Sequence, residues 1–382
     1  MYIENVGYLI IKMWSKLTLM SKKLKNIFLL PIPAVEKLLL AVILLLFITS
    51  CGDQIEVPDI SHIEVEVDFY RFDQDFNNLD TLNFVKSISE LDTKYPYFAP
   101  LFYTRILPLV SPTDPNNKSL LGANVSKYLN DSFAESLYDT VQIVFPNLDT
   151  EQKDLETALR YLKYYFPERG DLSVYAFISE FGYQTFIFPD GEGKDGLGLG
   201  LDMFLGVDYP YKALIIKNAT FSDYITRSFN QEHLVKKLMD SVIDDLVGES
   251  MGERLLDKII VSGKKQYLLD KVLPYTPDSI KWEFTSQQMD WVKGNEVNIY
   301  VHILSEDLLY ETRTKKIKSL IDYSPSSKGM PPESPGRTAN YIGYKIVDRF
   351  MDRTKINLDS LIRIQDAQFI LDNSKYKPLN KK

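Results

Sequence analysis

Cys51 is the only cysteine in 382 residues, and it closes the apolar run Leu38–Ile48 through Thr49 and Ser50. A chain with one thiol forms no intramolecular disulfide, so whatever follows must take its stability from a hydrophobic core. The run itself falls short of the ~20 apolar residues that span a bilayer and matches the hydrophobic region of a secretory signal. Ahead of it lie Lys12, Lys16, Lys22, Lys23, Lys25 and Lys37 against Glu4 and Glu36 alone. That bias holds the start of a signal in the cytoplasm. Residues 1–50 are therefore expected to be a signal that is removed, and Met20, followed by Ser-Lys-Lys-Leu-Lys, makes a more ordinary start than Met1.

The junction Ile48-Thr49-Ser50-Cys51 resembles a bacterial lipobox. The resemblance implies that the Cys51 thiol receives a diacylglyceryl group and that Cys51, acylated on its new amine, begins the mature chain. Several acyl chains, at ~0.8 kcal/mol per buried CH2, anchor a protein far more firmly than the marginal hold of one. The competing reading is a signal anchor or a plain secretory signal ahead of a buried cysteine; the position of Cys51 at the end of the run, with no other cysteine in the chain, weighs against it.

From Cys51 onward, 38 Lys and Arg stand against 50 Asp and Glu, a formal charge of −12. Such a surface repels nucleic acid and anionic head groups, so no nucleic-acid partner is expected and the membrane is held through lipid alone. Residues 51–60 read as a tether, and 61–382 as one large domain.

Within that domain, His62–Phe69 alternates apolar and acidic residues as a half-buried strand does. A helical region follows over Arg71–Leu91, then bulky apolar residues over Phe98–Val110. Helices are predicted over Ser126–Val144 and Thr150–Tyr165, and short strands over Leu172–Ile178, Gln184–Phe188 and Leu197–Phe204. The Gly-rich stretch Pro189–Gly196 joins two strands with no helix after it, which makes it a turn and no phosphate cradle. Asn230 is placed to cap a helix to Val247, and further helices are read over Gly252–Val261, Lys264–Leu273, Ser286–Lys293, Asn295–Leu309 and Thr338–Met351. Gly343 reads as a close helix contact, Arg313–Lys318 as a solvated basic face, Ser324–Gly336 as a loop, and the tail Tyr376-Lys377-Pro378 as basic and frayed. The fold class is thus α+β, mainly helical with a small mixed sheet.

A small sheet followed by a long helix is the layout in which zincin metallopeptidases carry H-E-x-x-H, two imidazoles one helical turn apart on zinc. This chain has His62, His233 and His302, none four residues from another. The layout is zincin-like without its ligands, so neither metal nor cofactor is expected. Asp244 and Asp245 point about 100° apart on a helix and read as solvated acids. No Gly-x-Ser-x-Gly elbow surrounds any serine.

Several stretches in order resemble the gliding-motility lipoprotein GldB family of Bacteroidetes. They are Leu199-Gly200-Leu201-Asp202-Met203-Phe204-Leu205-Gly206 with Asp208-Tyr209-Pro210, Ser262-Gly263-Lys264-Lys265-Gln266-Tyr267-Leu268-Leu269-Asp270, Ser334-Pro335-Gly336 before Tyr341-Ile342-Gly343-Tyr344, and Asp372-Asn373-Ser374-Lys375-Tyr376. The resemblance implies an envelope lipoprotein needed for gliding and tied to the type IX secretion machinery, with other envelope proteins as partners. The family also looks related to predicted zinc peptidases that carry Glu-Gly where this chain has Ser262-Gly263, which implies a non-catalytic descendant. Gly52-Asp53-Gln54 lacks the acidic pair linked with surface export, which implies a periplasm-facing anchor. The expected groove residues are Asp202, Tyr209, Tyr267, Tyr341 and Tyr344. The alternative is a hydrolase built on carboxylates such as Asp202, Glu249 and Glu253, which would have to converge about 5–10 Å apart.

Overall fold

The segment LSVYAF at 172–177 carries apolar residues on both of its alternating faces, the pattern of a strand covered on either side. The computed structural model describes residues 57–111, 114, 117–191, 193–214 and 221–378. Cys51 and the expected signal lie outside the described residues. Strands β1 (Val67–Arg71), β2 (Leu172–Phe177), β3 (Thr185–Pro189) and β4 (Asp195–Gly200) form a mixed sheet of order β1-β2-β4-β3. β1 and β4 run parallel to β2, with Val67 and Asp195 both opposite Leu172, and β3 is antiparallel to β4, with Thr185 opposite Leu199.

On one face of the sheet, Tyr175, Phe177, Phe186 and Phe188 meet an aromatic layer. That layer comprises α1 (Phe72–Asn77), α2 (Phe84–Lys94), α3 (Phe98–Leu101) with the π-helical turn Phe102–Ile106, and α4 (Lys118–Leu129). Phe72 lies edge-on to Phe98 and Phe102 at 4.9 and 4.7 Å between ring centres, and Phe98 stacks on Tyr175 at 4.9 Å. Such pairs add ~0.5–1.5 kcal/mol each beyond the area they bury. Gly196 and Gly198 alternate with Leu197 and Leu199 because the rings of Phe188 and Phe186 occupy the aromatic face there. A Cβ would come within 2.5 and 2.4 Å of those rings.

On the other face Val174, Ala176, Leu197 and Leu199 enter the larger core. Its helices are α5 (Ser132–Val144), α6 (Asp149–Tyr165), α7 (Asp223–Thr226), α8 (Gln231–Val247), α9 (Leu255–Val272), α10 (Asp278–Trp282), α11 (Ser286–Gly294) and α12 (Glu296–Ser305). They continue as α13 (Thr314–Ile321), α14 (Thr338–Thr354), α15 (Leu358–Arg363) and α16 (Ala367–Ser374). Leu234, Leu238 and Met239 of α8 are completely buried, each worth about 1.5–3 kcal/mol against exposure. α9 crosses α14 backbone to backbone, with Gly263 and Gly343 at the contact. Among the described residues no helix is long and apolar enough to cross a membrane.

The α+β class stands, with mostly helix around a small mixed sheet. Several boundaries differ from the sequence reading. The helix predicted over Ser126–Val144 is two, because Asp131 turns its carboxylate onto the backbone N–H groups of Phe133 and Ala134 (3.0 and 3.2 Å) and starts a new helix. Arg71–Leu91 likewise breaks between α1 and α2. The two helices predicted on either side of Gly263 are one, α9, since that glycine serves the crossing and leaves the helix intact. Leu201–Phe204 is a 3-10 turn beyond β4. The chain stays docked as far as Tyr376, whose ring packs on Tyr300 at 5.2 Å and whose hydroxyl donates to Glu296 at 2.9 Å.

Candidate binding groove

Two helix breaks set the walls of a concavity between α6, α8 and the turn after α9. Pro146-Asn147 ends α5 and lets α6 set off along one side, and Pro274 and Pro277 turn the chain after α9 along another. The start of α8 closes the groove, which encloses about 920 Å³. That is near the upper end of ligand-site volumes. Val235, Ala158, Val272 and Ile280 line its apolar parts, and Glu151, Asp154, Glu232, Tyr161 and Tyr275 its polar ones.

Lys236 is the one cation on the lining, and it is turned inward. It is nearly fully buried, with its ammonium 2.7 Å from Asp240 Oδ2 and in contact with Glu283. Glu283 sits in the left-handed region (φ 51°) and also holds Lys237 at 2.8 Å and the Tyr323 hydroxyl at 2.8 Å. Burial pushes the Glu283 carboxyl up, but Lys236, Lys237 and Arg337 outweigh it and hold it well below the usual carboxylate range. The floor is therefore an internally neutralised network, expensive to break and rigid. Behind it, burial lowers His233 to about 4, so the ring is neutral at physiological pH. Its Nδ1 lies 2.9 Å from Asn230 Oδ1, which is why Asn230 stands at the cap position of α8 without capping it through its side chain.

None of the residues expected from the sequence to line a groove lines this one. Asp202 is completely buried in the turn after β4. Its carboxylate accepts from the backbone N–H of Phe181 (2.5 Å) and from the N–H and hydroxyl of Ser179 (3.2 and 3.3 Å). It thereby pins a turn in which Glu180 and Phe181 both have positive φ (52° and 66°), a costly conformation for non-glycine residues. Burial raises Asp202 to about 6 against these hydrogen bonds. Tyr209 rests on Phe181 and Tyr211, at 5.7 and 4.8 Å.

Tyr341 and Tyr344 flank Trp282, each 5.6 Å from it. Tyr267 is half-buried under the Lys271 ammonium. The structure thus brings Asp202 near Tyr209 and gathers Tyr341 with Tyr344, each in core packing.

The carboxylates of the alternative reading also part company. Glu253 pairs with Lys258 at 2.8 Å, Glu249 is exposed, and Asp202 is sealed. Asp244 pairs with Lys265 at 2.8 Å and Asp245 lies 3.7 Å from Arg169, both at the surface. No group of three or more His, Cys, Asp or Glu that could hold a metal occurs among the described residues. The groove residues missed in the sequence were signalled only by Pro146, Pro274 and Pro277, and by two acids, Glu151 and Asp154, on one helix face with no cation one turn on.

The family model described as gliding motility protein GldB matches residues 53–378. No curated protein and no solved structure matches the chain.

Proposed function

Because the chain belongs to the gliding motility protein GldB family, we propose that it serves gliding as a lipid-anchored envelope component that binds and positions other proteins and catalyses no reaction of its own. The observation that carries this reading is the groove: a long concavity on well-packed helices, with a rigid floor and three carboxylates left open to a partner. Its partners are other envelope proteins of the gliding and type IX secretion machinery, and the anchor on Cys51 holds it facing the periplasm. The domain descends from a zincin-like peptidase layout, with Ser262-Gly263 standing where a peptidase would keep its glutamate. The burial of Asp202 and the pairing of Glu253 favour this over a carboxylate hydrolase.

Deleting the gene is expected to abolish spreading over agar, and a deletion strain that spreads normally refutes the role. Cys51→Ala is expected to lose acyl-chain labelling and to retain its signal; a labelled variant of mature size refutes the anchor.

A further inference from the structure

We propose that the groove takes an extended basic segment of a partner protein, about five residues long, whose Lys or Arg side chains reach Glu151, Asp154 and Glu232. This rests on the interaction role above and names the chemistry of the partner.

Charge complementarity carries the inference. Glu151, Asp154 and Glu232 line the groove, and their carboxylates have no ion-pair or hydrogen-bond partner among the described residues. Of the acids that follow the lining on the side of α9 and α10, Asp270 pairs with Lys281, and Asp278 with Lys281 and Lys293. Lys236 cannot answer the three, since Asp240 and Glu283 already hold it. Glu151 and Glu232 lie in the first turns of their helices, where the dipole favours an acid. Asp154 lies beyond the first turn, and that reason does not reach it. With Glu151 three residues before it, it faces the same side of α6.

The length and lining favour a peptide. The face of α6 from Thr150 to Tyr161 runs about 16 Å at 1.5 Å per residue, the reach of roughly five residues of extended chain. Tyr275, 71% exposed, shares the lining with Tyr161, and Pro146, Pro274 and Pro277 add apolar faces. Lys and Arg lay their alkyl stems on such surfaces while the charged ends reach carboxylates.

The test uses the full mature chain in detergent micelles and fluorescein-labelled (Lys-Pro)3, with (Gln-Pro)3 as the neutral control, read by fluorescence anisotropy. The lysine peptide is expected to bind at least tenfold more tightly than the glutamine peptide, and less tightly at 0.5 M salt. The triple variant E151Q/D154N/E232Q, confirmed as folded by circular dichroism, is expected to weaken it at least tenfold. Equal binding of the two peptides, an unaffected triple variant, or no binding overturns the proposal. Full displacement by equimolar spermidine assigns the groove to small cations, and a dimer that the triple variant disrupts assigns it to a second copy; either also overturns it. Complementation keeps the two readings apart. A deletion strain that still spreads defeats the gliding role, whereas a deletion strain restored fully by the triple variant defeats only the groove.

Discussion

Gly343→Ala sets two physical effects of opposite sign against each other. Alanine is the better helix former, by ~1 kcal/mol in a helix interior. At Gly343, however, the added methyl would lie 1.9 Å from the carbonyl oxygen of Ile259 and 2.5 Å from its carbon. Ordinary contact begins at 3.4 Å, so α9 and α14 would have to part by about 1.5 Å. Both obstacles are backbone, and no rotamer relieves them. Parting the helices also loosens Ile259, Ile260, Ile342, Ile346 and Val347, all buried to within 1%. Overpacking of this kind costs ~1–3 kcal/mol, and the lost contacts add to it, so the expected net destabilisation is about 2 kcal/mol. Urea unfolding followed by circular dichroism should show the midpoint fall by roughly 0.5–1 M. A midpoint unchanged or raised, as propensity alone would give, refutes the crossing. Gly263→Ala, whose methyl would meet Gly343 O at 2.4 Å, should cost a similar amount. The double variant should cost less than the sum, because one separation admits both methyls.

Two further predictions concern buried charge. Burial raises Asp202 to about 6 in the folded chain, above its unfolded value near 3.9. Its contribution to stability is therefore present below about pH 4 and lost as pH rises through 6, to the extent of about 3 kcal/mol. The stability gap between wild type and Asp202→Asn should narrow by that amount from pH 4 to pH 7; a gap that widens with pH means the hydrogen bonds from Ser179 and Phe181 outweigh burial. Lys264, 3% exposed, finds only the carbonyl of Ile364, and burial pushes it down to about 8. Its folded value lies below the unfolded one, so its contribution is present above about pH 10.5 and lost as pH falls through 8. Lys264→Met should thus stabilise by about 2 kcal/mol at pH 7, after allowing for the lost hydrogen bond, with the gain fading towards pH 10 in thermal melts. A destabilised variant at pH 7 overturns this account.

Local pattern carried much of this fold into the sequence. The alternation at 172–177, the break at Pro146, the cap position of Asn230 and the close contact at Gly343 are all local signals, and each has its counterpart in the structure. The Asn130-Asp131 break escaped because Val125 and Leu137 continue an apolar stripe across it, and only the side-chain direction of Asp131 separates the helices. Tyr376 read as a frayed end because its partners, Glu296 and Tyr300, lie some 80 residues earlier. The groove was hidden for the same reason. Glu151 and Glu232 are far apart in the chain, and what makes them notable is that no cation comes to meet them. The family, by contrast, was legible from the order of several weak motifs, because order survives where no single motif is specific.

The position of β1 bears on mechanics. It is an edge strand only ten residues into the described chain, and it joins the sheet through a parallel ladder to β2, five residues in register from Val67 opposite Leu172 to Arg71 opposite Ala176. A pull delivered from the N-terminal side and directed along β1 would load that ladder in shear, so its bonds would share the force and give way together rather than one at a time. Under the proposed anchorage at Cys51, and with a partner that pulls on the domain, resistance to detachment would be a matter of unfolding rate under force. The β1–β2 seam, and not the depth of either core, would then set how much tension the domain transmits.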